Sequence, residues 1–408
     1  MQNLQLTRFT LYLVALFTLS IVLTGCGGGG DGTADTPSAV SPPDNSAGDN
    51  SGDTGSGNNS LCDVNATSVN WQALMQEDCD SLAGYGLFAS PIEVTKAPNA
   101  PGLAYKLTTE LFSNYASKYR FILVPDGQSM QYSPNSVFEM PQGTVLVKTF
   151  ALPFDTQKLG ADNEVKIETR LLIHRDSGWQ ALAYQWNQEQ TQANLTVAGA
   201  NVSHTMNHQG QQLSFDYHIP SKAECKICHQ SSLGEQSKII PIGLKAHLLN
   251  MSLGSNQENQ LLHWQQTGLL EMLPDIAQVA QAYGLDDESA SLSSRAKGYL
   301  DVNCAHCHNP TGFASISGLR LGFDVDHTSF EYGICKQPPG WDGGPDGLAY
   351  DIVPGNGKRS IVHNRQVLSE PKDKMPPLGR EIVHTEGVDL IERWIDSLSP
   401  SLGSCVDG

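Results

Sequence analysis

Positive charge is what this chain has least of. Lys and Arg number 25 against 43 Asp and Glu in 408 residues, a formal net charge of −18. A nucleic-acid surface needs basic residues to displace the counterions condensed on phosphate, so nucleic acid is not an expected partner. Membrane-spanning length is lacking too. The apolar run Phe9–Leu23, FTLYLVALFTLSIVL, falls short of the roughly 20 residues that cross a bilayer. No internal repeat is visible beyond one doubled motif, and the β-rich middle of the chain carries no catalytic constellation. What is present is ordinary: 39% hydrophobic and 17% charged residues allow sizeable cores in two or three domains.

The beginning of the chain reads as an address. Arg8 precedes the apolar run, which ends in Leu23-Thr24-Gly25-Cys26. A basic start, a short apolar stretch and a small residue before the cut describe an export signal. The LTGC ending resembles the lipobox of bacterial lipoproteins, which implies cleavage before Cys26 and lipid on its thiol. An uncleaved membrane anchor and a plain secretory signal with a chance cysteine are the alternatives. Gly27 rather than Asp after the lipid favours the outer membrane over the inner, by resemblance to the usual sorting rule. Residues 1–25 are thus expected to be a signal, and the protein to be exported and lipid-anchored. Residues 26–60, nearly all Gly, Ser, Asp, Asn, Thr and Pro, are expected to be a hydrated tether.

Residues 61–218 read as β-rich after a short helical piece. SKYRFILVP (117–125), GTVLVKTFAL (143–152), VKIETRLLIHR (165–175) and WQALAYQWN (179–187) combine β-branched and aromatic residues with alternation. No helical crossover separates the last two, so an antiparallel sheet or sandwich is expected. Trp179, Tyr184 and Trp186 are expected to pack on it. After residue 219 the pattern turns helical in PIGLKAHLLNMSL, NQENQLLHWQQTGLLEML, PDIAQVAQAYGL and SLSSRAKGYLDVNCAHCH. A last helix is expected over about Thr385–Leu398, with Thr385 as its cap.

Nine cysteines are present, and lipidation of Cys26 would remove the odd one. Two pairs sit in Cys-x-x-Cys-His: Cys225, Cys228 and His229, then Cys304, Cys307 and His308. The remaining four, in an exported chain, are expected to pair as Cys62–Cys79 and Cys335–Cys405, with other pairings open.

Cys-x-x-Cys-His attaches haem: two thiols add to the vinyl groups on one edge of the ring, and the next histidine lies under the iron. Three other readings apply. Zinc could use Cys225, Cys228, Cys304 and Cys307, but 75 residues separate the two halves. A thioredoxin-like dithiol expects its first cysteine at a helix start in a βαβ unit. Two tight disulfides are the third. Two such motifs in an exported chain favour two covalent haem c groups. Met375, in DKMPPLG and 67 residues after His308, is the expected second ligand of the second iron. Met ligation there raises the reduction potential relative to two imidazoles. His306 is expected to face solvent or to sit behind the ligands.

The second motif has the wider context of a class I cytochrome c. With ETRLL, AECKICH, YLDVNCAHCHNP, IVPGNGKRSIVHNR, KMPPLG and LIERWI, the chain resembles an uncharacterised family of bacterial diheme c-type cytochromes over roughly residues 105–400. The resemblance implies two covalent haems and export, and no established enzyme activity. It implies no second ligand for the first haem. Met272 is the expectation there, with Met251, His247, His263 or an open iron as alternatives.

The expected fold is therefore an N-terminal antiparallel β domain followed by mainly α-helical cytochrome c-like haem domains, with 219–284 the first haem region and 285–408 the class I-like part. The expected function is single-electron transfer to a redox protein partner; the acidic chain permits a basic one, though acidity is also a solubility device. A diheme peroxidase-like oxidoreductase, a cytochrome subunit of a dehydrogenase, or a β-domain binding protein with ancillary haems are the other readings.

Overall fold

A computed structural model describes residues 61–405, apart from 159, 234–235 and 254–257. The expected signal, Cys26 and the tether lie outside the described residues.

Six antiparallel strands form the central sheet, in the order β1 (Leu103–Ala104), β2 (Ser117–Leu123), β4 (Val145–Pro153), β5 (Glu164–Arg175), β6 (Gly178–Trp186) and β7 (Ala193–Leu195). A short β3 (Met130–Gln131) lies outside it and pairs in parallel with Leu270–Glu271. The hairpin β8 (Ala200–His208) and β9 (Gln211–Ile219) is a separate two-stranded piece. The long strands fall where alternation of apolar residues put them, because one register buries each set of side chains.

The two faces of the sheet are covered differently. Phe121, Leu123, Val147, Leu171, Leu182 and Tyr184 pack under the first described segment, which includes α1 (Trp71–Gln76). That segment is stapled by a Cys62–Cys79 disulfide, and Tyr184 Oη donates to the carbonyl of Cys79. On the other face, Ile122 and Leu146 join Leu244, Leu248, Leu261 and Trp264 from the chain after residue 240. The β8–β9 hairpin closes the far end through Phe150, Leu152, Met206 and Tyr217. Each fully buried side chain of this size contributes about 2 kcal/mol.

The expectation of mainly α-helical domains after the sheet is wrong. Only about 22% is helical, counting seven short α-helices together with 3₁₀ and π turns among the described residues. The α-helices are α1, α2 (Cys225–His229), α3 (Ala246–Leu249), α4 (Gln260–Gln266), α5 (Leu292–Leu300), α6 (Ile361–Val367) and α7 (Thr385–Ser397). The helical spacing of residues 240–284 yields only α3, α4 and one 3₁₀ turn. Gly268, at φ +75°, stops α4 by offering the left-handed conformation that follows a helix end. Pro274 then blocks renewal. The apolar residues there act singly, covering the sheet, rather than as a helical stripe.

The expected last helix is present as α7, with His384 rather than Thr385 at the N-cap position and no side-chain capping bond. It packs on α5 through a core containing Ala296, Leu300, Leu390, Ile391 and Trp394. Ser291 caps α5 by accepting from the amide of Ser294. A second disulfide, Cys335–Cys405, joins the long loop to the segment beyond α7. Among the described residues no helix is long and apolar enough to cross a membrane.

The two disulfides close loops of 17 and 70 residues. Chain entropy assigns them roughly 3 and 4 kcal/mol respectively. Replacing Cys335 and Cys405 with Ser is therefore expected to lower stability to urea more than replacing Cys62 and Cys79. Equal or inverted losses in paired unfolding curves would contradict that ordering.

Candidate functional site

The two Cys-x-x-Cys-His motifs meet. Cys307 Sγ donates to the carbonyl of Ile227, inside the first motif, at 3.4 Å. Ligand atoms of Cys228, His306 and Cys307 lie within 4.8 Å of one another. Thr311 clamps the pair: its hydroxyl bonds Ser231 Oγ at 2.9 Å, and its carbonyl accepts from the amide of Ser232 at 2.8 Å.

Each motif is held by its own local chemistry. The first is a five-residue helix, α2. Glu224, just before it, accepts from the amide and hydroxyl of Ser221 and contacts His218 Nε2 at 3.1 Å. After it, β10 (Gln230–Leu233) and β11 (Gln236–Ile239) turn the chain back. Ile240 then bonds His229 twice: its amide donates to the His229 carbonyl, and its carbonyl accepts from His229 Nδ1 at 2.8 Å. A carbonyl can only accept, so Nδ1 carries the proton and Nε2 keeps its lone pair.

The second motif grows from α5 through a π-helical turn, Asp301–Ala305, a feature frequent at functional sites. Asp301 holds this turn. Its carboxylate accepts from Lys245 Nζ (2.8 Å), His247 Nε2 (2.9 Å) and the amide of Phe323 (3.0 Å). Those donors hold the carboxyl well below its usual range despite burial. Asn303 accepts from the amide of Phe112 at 2.7 Å. His308 Nδ1 lies 3.2 Å from Ser317 Oγ, whose own proton goes to the Ala314 carbonyl. Here too Nε2 is the lone-pair nitrogen. Burial pushes both His229 and His308 down to about 4, so both are neutral at pH 7, the form that ligates metal.

Two cavities adjoin the motifs. One is lined by Cys304, His308 and Met375. The other is lined by Cys225, Cys228, His229 and His306. Phe112, Asn303 and Pro376 line both, forming a common wall. Met375 thus shares a cavity with His308. Its loop is fixed by backbone bonds: the Met375 amide donates to the Arg365 carbonyl at 2.8 Å, and buried Arg380 Nε donates to the Met375 carbonyl at 3.0 Å.

The thiols are not equivalent. Burial raises Cys225, and pushes Cys304 up to about 12. Cys228 is held down instead, mainly by the Cys307 thiol beside it and then by His306.

Met272 lies apart from both cavities. It is 77% exposed with φ +60° and lines neither of them. Its turn follows Gly268 out to solvent rather than back to the motif. Of the other candidates, His247 is bound to Asp301, and His263 is exposed beside Glu258. His306 departs from expectation: it faces the first motif, and its Nδ1 is buried without a hydrogen-bond partner. Cys225 and Cys304 do not join the Cys228–His306–Cys307 group, so four-cysteine zinc ligation is not what the fold assembles. Sequence reading also missed Phe112, Asn303 and Ser317, whose roles depend on contacts from distant segments.

No protein-family model, curated protein or solved structure matches this chain.

Asp301→Asn is expected to cost roughly 3 kcal/mol or more, because Lys245 and His247 lose a buried partner. The Asp301 carboxyl is depressed in the folded state. Its contribution is complete above the unfolded carboxyl value of about 3.9 and is lost as pH falls below it. Urea unfolding at pH 7 and pH 3.5 checks this: the gap between the two proteins should narrow at the lower pH.

Proposed function

We propose that the protein binds two covalent haem c groups and passes single electrons between them and a redox protein partner. The observation that carries this reading is the convergence of both motifs, each with a tethered neutral histidine that lines its own cavity, beside Cys225 and Cys228 in one and Cys304 in the other. The donor set suits the group: paired thiols and an imidazole Nε2 at each site, with Met375 in the second. The resemblance to diheme c-type cytochromes points the same way. The two disulfides suit an oxidising, exported setting, and LTGC at Cys26 suits lipid anchoring.

On this reading Cys225 and Cys228 hold one haem with His229, and Cys304 and Cys307 hold the other with His308 and Met375. When bound, each haem supplies a one-electron iron couple. The chain's own work is placement. Ile240 and Ser317 fix the ring orientation of the two histidines, which also makes each nitrogen a better donor. Arg365 and Arg380 hold the methionine loop through its backbone. The shared wall keeps the two sites adjacent, and Cys228 and Cys307 mark their nearest approach.

A second reading is supported by one observation. Cys228, His306 and Cys307 offer two soft sulfurs and a nitrogen, a donor set for Zn²⁺ or Cu⁺ in chain that carries no haem.

Protein exported by cells able to attach haem is expected to show two haems per chain by intact mass, with reversible one-electron couples. Met375→Ala should remove the thioether-to-iron absorption band and lower one potential, leaving two haems attached. Absence of covalent haem, with stoichiometric zinc or copper lost in Cys307→Ala, would replace the first reading by the second.

A further inference from the structure

The central sheet carries an arrangement that strand pairing alone does not favour. In the register of β2, β4 and β5, Arg120 faces Lys148 and Lys148 faces Arg170. Three cations thus lie abreast across three adjacent strands, and like charges directly opposite destabilise a sheet. Lys118, two residues before Arg120, is on the same face.

Two carboxylates answer these four cations. Glu110 pairs with Arg120 and Lys118, and Glu168 pairs with Arg170. Glu168 is also held by Tyr217 Oη at 2.7 Å. Lys148, in the middle, forms no ion pair among the described residues. Its ammonium lies 4.9 Å from the centre of the Phe150 ring. Arg120 Nη2 is buried with no hydrogen-bond partner. Burial and the neighbouring Arg120, Lys118 and Arg170 charges push the Lys148 ammonium well below the ordinary lysine value. Buried charges are normally paired, so this row is short of negative charge.

The row also has a place to receive it. Lys148, Phe150 and Arg170 line the same cavity as Cys225, Cys228 and His229. We propose that Lys148 and Arg170, the part of the row that lines this cavity, form an anion subsite of it, in which Lys148 pairs with a carboxylate of the haem attached at Cys225 and Cys228. This rests on the diheme reading above. The chemistry recognised is that of an oxyanion, and a small inorganic anion shares it.

The test uses the full chain with and without haem, as wild type, Lys148→Met and Lys148→Arg. Without haem, Lys148→Met should raise the thermal unfolding midpoint, since one of three abutting like charges is gone. With haem, both attachments should persist by intact mass. The reduced-to-oxidised ratio of the His229 site at fixed potential should fall about tenfold, a shift of about 59 mV for one electron. Lys148→Arg, which keeps the charge, should restore the wild-type value. An unshifted potential in Lys148→Met overturns the proposal while the two attached haems keep the diheme reading. A chain with no haem at Cys225 and Cys228 overturns both. If inorganic phosphate shifts the wild-type spectrum and Lys148→Met abolishes that response, the row holds a free anion rather than the haem carboxylate, and the proposal fails. Should Lys148→Met not fold, Lys148→Gln supplies the same comparison, and loss of folding in both marks Lys148 as structural and overturns the proposal.

Discussion

The buried carboxylate of Asp301 is the constraint on which the arrangement of this protein depends. It gathers three donors from two distant parts of the chain: Lys245 and His247 from the segment after the first motif, and the amide of Phe323 from the loop after the second. His247 and Phe323 also stack, with ring centres 4.2 Å apart. Asp301 itself opens the π-helical turn that ends in the second motif. One side chain thus couples the path leaving the first motif to the path entering the second. A charge so placed is tolerated only with its partners in position, so the fold that satisfies Asp301 is also the one that brings the motifs together.

Much of the sheet was legible in the sequence. Alternation in 117–125, 143–152, 165–175 and 179–187 located its four long strands, since burial of one face fixes both the strands and their register. The disulfide partners and α7 also fell where the cysteine arithmetic and apolar spacing put them. The helical reading of 240–284 failed for a physical reason. Leucines spaced to suit a helix serve equally well as separate plugs against a sheet, and only Gly268 and Pro274 hinted at the interruption. The site was half legible. Its cysteines and histidines announce themselves by spacing. The groups that orient them do not: Ile240 acts through a carbonyl, and Ser317, Asn303 and Phe112 through contacts across the fold. Met272 was a choice of spacing alone, and chain direction after a left-handed glycine took it to solvent.

One signal in the sequence could have been read further. Lys148 interrupts VLVKTFAL at an inward position, between Leu146 and Phe150. KYR and ETR place Arg120 and Arg170 beside it once the strands pair. A single such residue reads as a long side chain escaping to the surface. Three in register, two of them lining a cavity, show that this face of the sheet is divided: Ile122 and Leu146 belong to a core, while Lys148 and Arg170 border open space.

The contact between Cys228 and Cys307 bears on how such a protein is assembled. If haem is attached as proposed, both thiols must be reduced and reachable for it, yet in the folded chain their sulfurs lie within 4.8 Å of each other. The same compartment that forms Cys62–Cys79 and Cys335–Cys405 would also oxidise two neighbouring thiols. On the diheme proposal, maturation would then have an order imposed by the fold: the motifs would be served while the chain is still open, and docking of one motif on the other would come last. A chain that closes early risks a crosslink between Cys228 and Cys307, a dead end produced by the very proximity that serves the finished molecule.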